Sequence, residues 1–295
     1  MTNPYKTRQG GATVTIFVPY DCRNNCPFCI NKKEYADCSQ FSMEGILKSI
    51  AVMDEITPLC DFVFTGGEPF AELDSLQRML DAIPPTHKVY INTTFPVQPG
   101  CSAEEMLAFT RKNADKITCI NISRHLQHYV EESPDEVVAQ IATPTRINCV
   151  LYKKYPTDKL IPYAQRWLQY NIPIQFRYDY TQTTPENLYE EENDPILQDL
   201  KSKFTYMGLD GCRMRNGFHF AYRGLHMTYH KTLPYSTIEE TGADGVTYDI
   251  LYDILIKQNG DLHSDWTNVP LDVEKYRQVV FEPYDLHVID GCVDF

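Results

Sequence analysis

At 295 residues, with 43% hydrophobic and 23% charged residues, the chain is long enough for one large α/β domain or two modest ones around a substantial core. A formal charge of −13 argues against a nonspecific nucleic-acid binder, because phosphate attraction needs an excess of lysine and arginine, and no stretch reaches the ~18 apolar residues of a membrane span. Residues 1–20 contain no uninterrupted apolar run of the secretory type, so a cytoplasmic location is expected, where ten cysteines point to a metal or to core packing and not to disulfides.

From residue 13 to residue 204, short runs rich in Val, Ile, Phe and Tyr alternate with helical patterns. The first run, TVTIFV (13–18), is followed by a loop with three cysteines and then by a helix opening at Ser42. DFVFTG (61–66) leads through a Gly-Gly turn to the helix ELDSLQRMLDAI, and KVYINT (88–93) leads to a helix opening at Ser102. ITCINIS (117–123), RINCVLY (146–152) and IPIQFRYDY (172–180) continue the alternation, with helices opening at Ser133 and Thr157 between them. Repeated βα units with near-continuous apolar strands predict a parallel sheet curved into a partial (β/α)6 TIM-like barrel, with its chemistry at the C-terminal ends of the strands. Beyond about residue 205 the segments 218–230 and 247–266 read as strands, with a turn at Asn259-Gly260. The expected division is a core at 1–205 and a β-rich C-terminal extension at 206–295 that closes the substrate pocket.

The loop PYDCRNNCPFCIN (19–31) places Cys22, Cys26 and Cys29 in a C-x3-C-x2-C pattern directly after the first strand. Three thiolates suit an iron–sulfur cube that keeps one iron open to an outside ligand. The alternative is a structural zinc with Cys38 as fourth ligand, although zinc modules usually pair their ligands in two separated knuckles and no second C-x2-C occurs. At the end of the second strand lies TGGEP (65–69), where paired glycines admit a close ligand and the Glu68 carboxylate can accept hydrogen bonds from an ammonium group.

Over roughly residues 13–180, the cysteine loop and Gly66-Gly67-Glu68-Pro69 together resemble the radical S-adenosylmethionine (SAM) enzymes. The resemblance implies one [4Fe-4S] cluster on Cys22, Cys26 and Cys29, with SAM chelating the fourth iron. It also implies reductive cleavage of SAM to a 5′-deoxyadenosyl radical that abstracts hydrogen from a substrate, and an electron donor such as flavodoxin or ferredoxin. Phe28 matches the aromatic position beside the adenine, and Gly66 to Pro69 match the segment that holds the methionyl amine. Ser123 and Arg124 end the fourth strand, where the family often places groups for the SAM ribose or carboxylate; Asn92 is a further candidate near SAM. RINCVLYK (146–153), with Asn148, resembles the branch containing the molybdopterin-precursor cyclase and viperin.

The C-terminal segment resembles no branch in particular. Cys212 and Cys292 are too few for a second cluster, Cys119 and Cys149 read as core residues, and about a dozen residues before the first strand leave no room for a leader-peptide-binding domain. The pocket residues expected are Arg177, Tyr180, His219 and Arg223, with the arginines favouring an anionic group. A small-molecule or nucleotide-like substrate is therefore the first expectation, a peptide or protein substrate (as for a peptide maturase or glycyl-radical activating enzyme) the second, and a non-catalytic zinc or iron–sulfur module the third.

Overall fold

The computed structural model describes residues 3–7, 12–20, 22, 24, 26–29, 31, 38–57, 60–96, 101–127, 132–152, 154–212, 215–233, 237–263 and 270–277. Cys292 lies outside the described residues.

The α/β expectation is met by a parallel β/α sheet resembling a partial TIM barrel, with an antiparallel region at its C-terminal side. Strands β2 (Thr13–Val18), β3 (Asp61–Gly66), β4 (Lys88–Thr93), β5 (Cys119–Ser123), β6 (Thr145–Leu151) and β7 (Ile174–Tyr178) pair in chain order, all parallel. Helices Met43–Ile56, Leu73–Ala82, Ala103–Lys112 and Leu160–Leu168 lie in the crossovers, and Ser42 and Ser102 cap the first and third of these. The capping oxygens accept from the Gly45 and Glu105 amides, donors that a helix's first turn would otherwise leave unmet.

Strand alternation sorts each strand into two faces. On one, Val14, Ile16, Phe62, Phe64, Ile91, Ile120, Ile122, Ile147, Cys149, Ile174 and Phe176 join helix residues such as Ile50, Met79, Met106 and Trp167 in a single core. The other face carries Asn92, Asn121, Arg146, Asn148, Gln175 and Arg177 and lines the inside of the barrel. The core placement of Cys149 raises its thiol pKa to about 12, chiefly through burial, which is the behaviour of a packing residue and not of a ligand.

The segment after residue 205 is built into the same sheet. Strands β8 (Thr205–Cys212), β9 (Arg215–Tyr222) and β10 (Leu225–Thr232) form an antiparallel meander whose last strand pairs parallel with β7. At the other edge, β13 (Asp253–Ile256) pairs parallel with β2 and turns back as β14 (Leu262–His263), so the sheet has eleven strands. Gly260, at φ 89°, supplies the left-handed residue for that hairpin, as its Asn-Gly sequence predicts. A small second sheet joins β1 (Tyr5–Thr7) to β12 (Thr247–Leu251) and β11 (Thr237–Thr241). The C-terminal strands are also pinned from outside the sheet: Lys231 of β10 forms a buried 2.7 Å ion pair with Asp194, whose carboxylate caps the helix Pro195–Lys203.

One expectation is corrected here. The run 218–230, read as a single strand-like segment, is a hairpin that reverses at Arg223-Gly224, both left-handed at φ 50° and 91°. Since β10 starts after this turn and runs parallel to β7, Arg223 stands at the N-terminal end of the barrel strands, exposed and over the Tyr222 ring at 5.4 Å. It is at the opposite end from Arg177 and cannot share a pocket with it.

Candidate functional site

The cysteine loop leaves β2 at the C-terminal end of the barrel and passes directly over the end of β3. Gly67 donates its amide to the Val18 carbonyl at 2.8 Å, and Glu68 donates its own to the Tyr20 carbonyl at 3.2 Å. This approach requires the paired glycines. Gly66 sits at φ 117°, and a Cβ on Gly66 or Gly67 would overlap the carbonyl oxygen of Val18 or Tyr20. The two motifs that stand more than thirty residues apart in sequence are thus one backbone assembly.

Cys22, Cys26 and Cys29 are half-buried free thiols, and a turn brings the Cys29 amide onto the Cys26 carbonyl at 3.1 Å. Burial raises the Cys22 pKa, opposed by hydrogen bonds from Asn24, whose Nδ2 lies 3.6 Å from Cys22 Sγ. Cys38 is exposed, with its thiol on the Pro19 carbonyl at 3.0 Å. Among the described residues, no three His, Cys, Asp or Glu side chains are grouped to hold a metal ion. The donor chemistry nevertheless fits a cluster: three thiols, none oxidised to a disulfide, carried on one loop at the barrel mouth with an amide N–H directed at sulfur.

Glu68 is 2% exposed and is occupied by the protein itself. Its Oε1 accepts from the Phe70 amide at 3.0 Å and from the Thr93 hydroxyl; its Oε2 accepts from the Thr94 amide at 2.9 Å and the Thr94 hydroxyl at 2.7 Å. Burial raises its pKa against the effect of those four donors. Pro69 begins the short 3-10 turn that Glu68 caps. Phe95, at φ 48° with its amide donating to Thr93 Oγ1 at 2.8 Å, packs edge-on against Phe70 at 4.9 Å and closes this cradle.

Arg124 is likewise committed to the interior. Its Nη1 donates to the carbonyls of Thr94 at 2.6 Å and Ser123 at 2.9 Å, its Nη2 to the Ser133 carbonyl and hydroxyl at 3.1 and 3.0 Å, and Glu132 lies 3.7 Å from its Nε. Ser123 is in register with Asn148, whose carbonyl accepts from the Arg124 amide at 2.9 Å. The Asn148 side chain is 7% exposed, and its Oδ1 has no partner among the described residues. Asn92 Oδ1 accepts from Asn121 at 2.8 Å, and Asn121 Oδ1 in turn receives two donors of Arg146.

Phe28 forms an edge-on contact with His125 at 4.9 Å and lies 5.5 Å from Tyr152. His125 accepts from the Val150 amide at 3.1 Å, and burial, aided by Arg124, lowers its pKa to about 4. Tyr180 is half-buried just beyond β7. His219 on β9 lies 3.2 Å from Asp210 and 3.2 Å from His226. Arg177 is half-buried, yet burial is the largest cause lowering its pKa to about 10, followed by Arg146 and Arg215.

Arg146, Arg215 and His125 were not among the site residues expected from sequence, whereas His230 belongs, with His219 and His226, to the histidines of 218–230 that the sequence offers for a polar pocket. For Arg146 the available signal was strand alternation, since it lies two residues from another inward-facing position. Arg215 needed the fold, because its place depends on the pairing of β9 with β10.

The fold and this site define a class: a partial β/α barrel with a three-thiol loop and a Gly-Gly-Glu turn joined at the C-terminal ends of its first two parallel strands. Among solved structures the chain is similar to SuiB of Streptococcus suis, at a TM-score of 0.55 and 14% identity over 95% of this chain and 65% of SuiB. Against SuiB bound to the precursor peptide SuiA the TM-score is 0.55 at 14% identity, covering 96% and 66% of the two chains; against SuiB bound to S-adenosylmethionine it is 0.52 at 14%, covering 86% and 60%. The chain thus spans slightly under two thirds of SuiB, and at this identity the likeness establishes the fold. No family model and no curated protein sequence matches the chain. Among the described residues, no helix is long and apolar enough to cross a membrane.

Proposed function

We propose that this chain is a radical SAM enzyme. The observation that carries the reading is the junction of the cysteine loop with the Gly66-Gly67 turn at the barrel mouth, supported by a fold shared with a protein crystallised with SAM. Cys22, Cys26 and Cys29 would hold a [4Fe-4S] cluster, which when bound and reduced supplies the electron that cleaves SAM to a 5′-deoxyadenosyl radical. The paired glycines leave their backbone open to the methionyl end of SAM, and the Glu68 cradle fixes that turn from below. Asn148, with a buried unpaired oxygen, offers a hydrogen bond to SAM, and Phe28 an apolar face for the adenine.

For the substrate, the comparisons lend more support to a peptide, since SuiB was crystallised with one, than to the small or nucleotide-like molecule expected from the sequence. The polar lining of the barrel favours a compact polar group at the reacting end in either case. Placement near the cyclase and viperin branch rests on Asn148 and its strand alone. Anaerobic reconstitution with iron and sulfide tests the reading: a brown protein that forms 5′-deoxyadenosine from SAM supports it, and a colourless protein that retains zinc refutes it.

A further inference from the structure

In a chain with forty acidic residues, the inside of the barrel collects positive charge. Arg177 of β7 and His230 of β10 are register partners, and the charges of Arg177, Arg146 and Arg215 all act on His230. Arg215 is the register partner of Thr232, two residues beyond His230 on the same face of β10, and Arg146 shares the inner face of β6 with Asn148, in register with Gln175; the charges of both act on Arg177. Among the described residues, Asp253 lies 4.0 Å from Arg215 and its charge acts on Arg177, while Asp210 faces His219. Arg146 rests its Nε and Nη2 on Asn121, whereas the Arg177 guanidinium has neither hydrogen bond nor ion pair among the described residues.

A second, independent feature adjoins it. Asn148, Gln175 and Thr228 form a register row across β6, β7 and β10, one pleat below Arg177 and His230. Thr228 is 5% exposed, and its Oγ1 lacks a partner among the described residues. A buried hydroxyl without a partner is costly, as are clustered like charges, and both costs are removed together by a ligand that accepts from guanidinium, imidazole and hydroxyl groups.

We propose that this lumen is a subsite for an oxyanion group of the substrate, a carboxylate or a phosphate, bound by Arg177 with Arg146, Arg215 and His230. The role in turnover rests on the radical SAM reading; the binding itself does not. Guanidinium forks grip either oxyanion bidentately, and the enclosed setting strengthens the contact. Arg177 ends β7 at the same end of the barrel as the cysteine loop, which puts the anchored group on the side where the chemistry is proposed.

The test is calorimetric titration of the full-length reconstituted protein with inorganic phosphate and with succinate, each preparation also being assayed for 5′-deoxyadenosine formation from SAM. Saturable binding of at least one anion is expected, weakened about tenfold or more in Arg177→Gln and in Arg215→Gln and unchanged in Arg223→Gln at the far end of the barrel. Preference for phosphate assigns a phosphorylated, nucleotide-like group; preference for succinate assigns a carboxylate, as in an acidic peptide or metabolite. Absence of saturable binding by both anions, or wild-type binding in the folded Arg177 and Arg215 variants, overturns the inference. Should Arg177→Gln fail to fold, Arg215→Gln decides the matter. SAM cleavage without anion binding refutes the subsite alone, whereas Arg-dependent anion binding without SAM cleavage refutes the enzymatic reading and leaves the subsite standing.

Discussion

Glu68 and Arg124 hold Thr94 from two sides: the carboxylate accepts from its amide and hydroxyl, and the guanidinium donates to its carbonyl at 2.6 Å. The Thr94 hydroxyl also accepts from Asn24 of the cysteine loop at 3.2 Å, so a continuous network underlies the candidate cluster site. Replacing either charged residue leaves buried partners unmet, and Arg124→Gln or Glu68→Gln should each cost about 2–4 kcal/mol of stability. Urea unfolding checks this. Weakened SAM affinity at unchanged stability would instead assign these side chains direct contacts with SAM.

Gly67 lies against the Tyr20 carbonyl with no space for a methyl group. Gly67→Ala must therefore push the turn and the cysteine loop apart, with a stability loss on the order of 1–3 kcal/mol and a lower iron content after reconstitution. Thermal unfolding and iron analysis of the same sample read both effects. Wild-type values in each would show that the junction is not rigid.

A site with three thiols has no redundancy. Alanine at Cys22, Cys26 or Cys29 should abolish iron retention and SAM cleavage, while alanine at exposed Cys38 should leave both intact. The wild type should carry about four irons per chain. A value near eight would mean that further cysteines converge on a second cluster.

His125 should make stability depend on pH. Its folded pKa of about 4 lies below the ordinary 6.5, so as pH falls the unfolded chain takes up the proton first. Stability is then fully present above about pH 6.5 and lost toward pH 4, by roughly 3 kcal/mol from this residue. Burial depresses His226 and His230 in the same direction. Denaturant unfolding at several pH values should show a shallower slope in His125→Phe than in the wild type; equal slopes would remove His125 from the account.

The division expected from the sequence, a core at 1–205, implies that truncation near residue 205 leaves a cluster-binding core. The pairing of β10 with β7 and of β13 with β2 predicts otherwise, because the cut strips a partner from both edges of the six-strand sheet and removes the Lys231 contact that holds the helix Pro195–Lys203. Insoluble or unfolded product is the expected result. A soluble fragment with native-like circular dichroism would restore the idea of an independent core.

The sequence by itself determined the local chemistry and the order of the parts. Short runs rich in Val, Ile, Phe and Tyr between helical patterns located strands β2 to β7 to within two residues at each end, because a buried strand in a βα unit is a short apolar run. Cysteine spacing and the Gly-Gly-Glu-Pro turn were legible because their geometry is local. Only the tertiary structure decided what depends on register between distant segments. The reversal at Arg223-Gly224 sends Arg223 to the wrong end of the barrel and carries Arg215 to the right one. Burial, which no single position reveals, turns Glu68 and Arg124 into supports of Thr94. The three arginines near His230 come from strands up to seventy residues apart, and nothing in the sequence states that those strands close around one lumen.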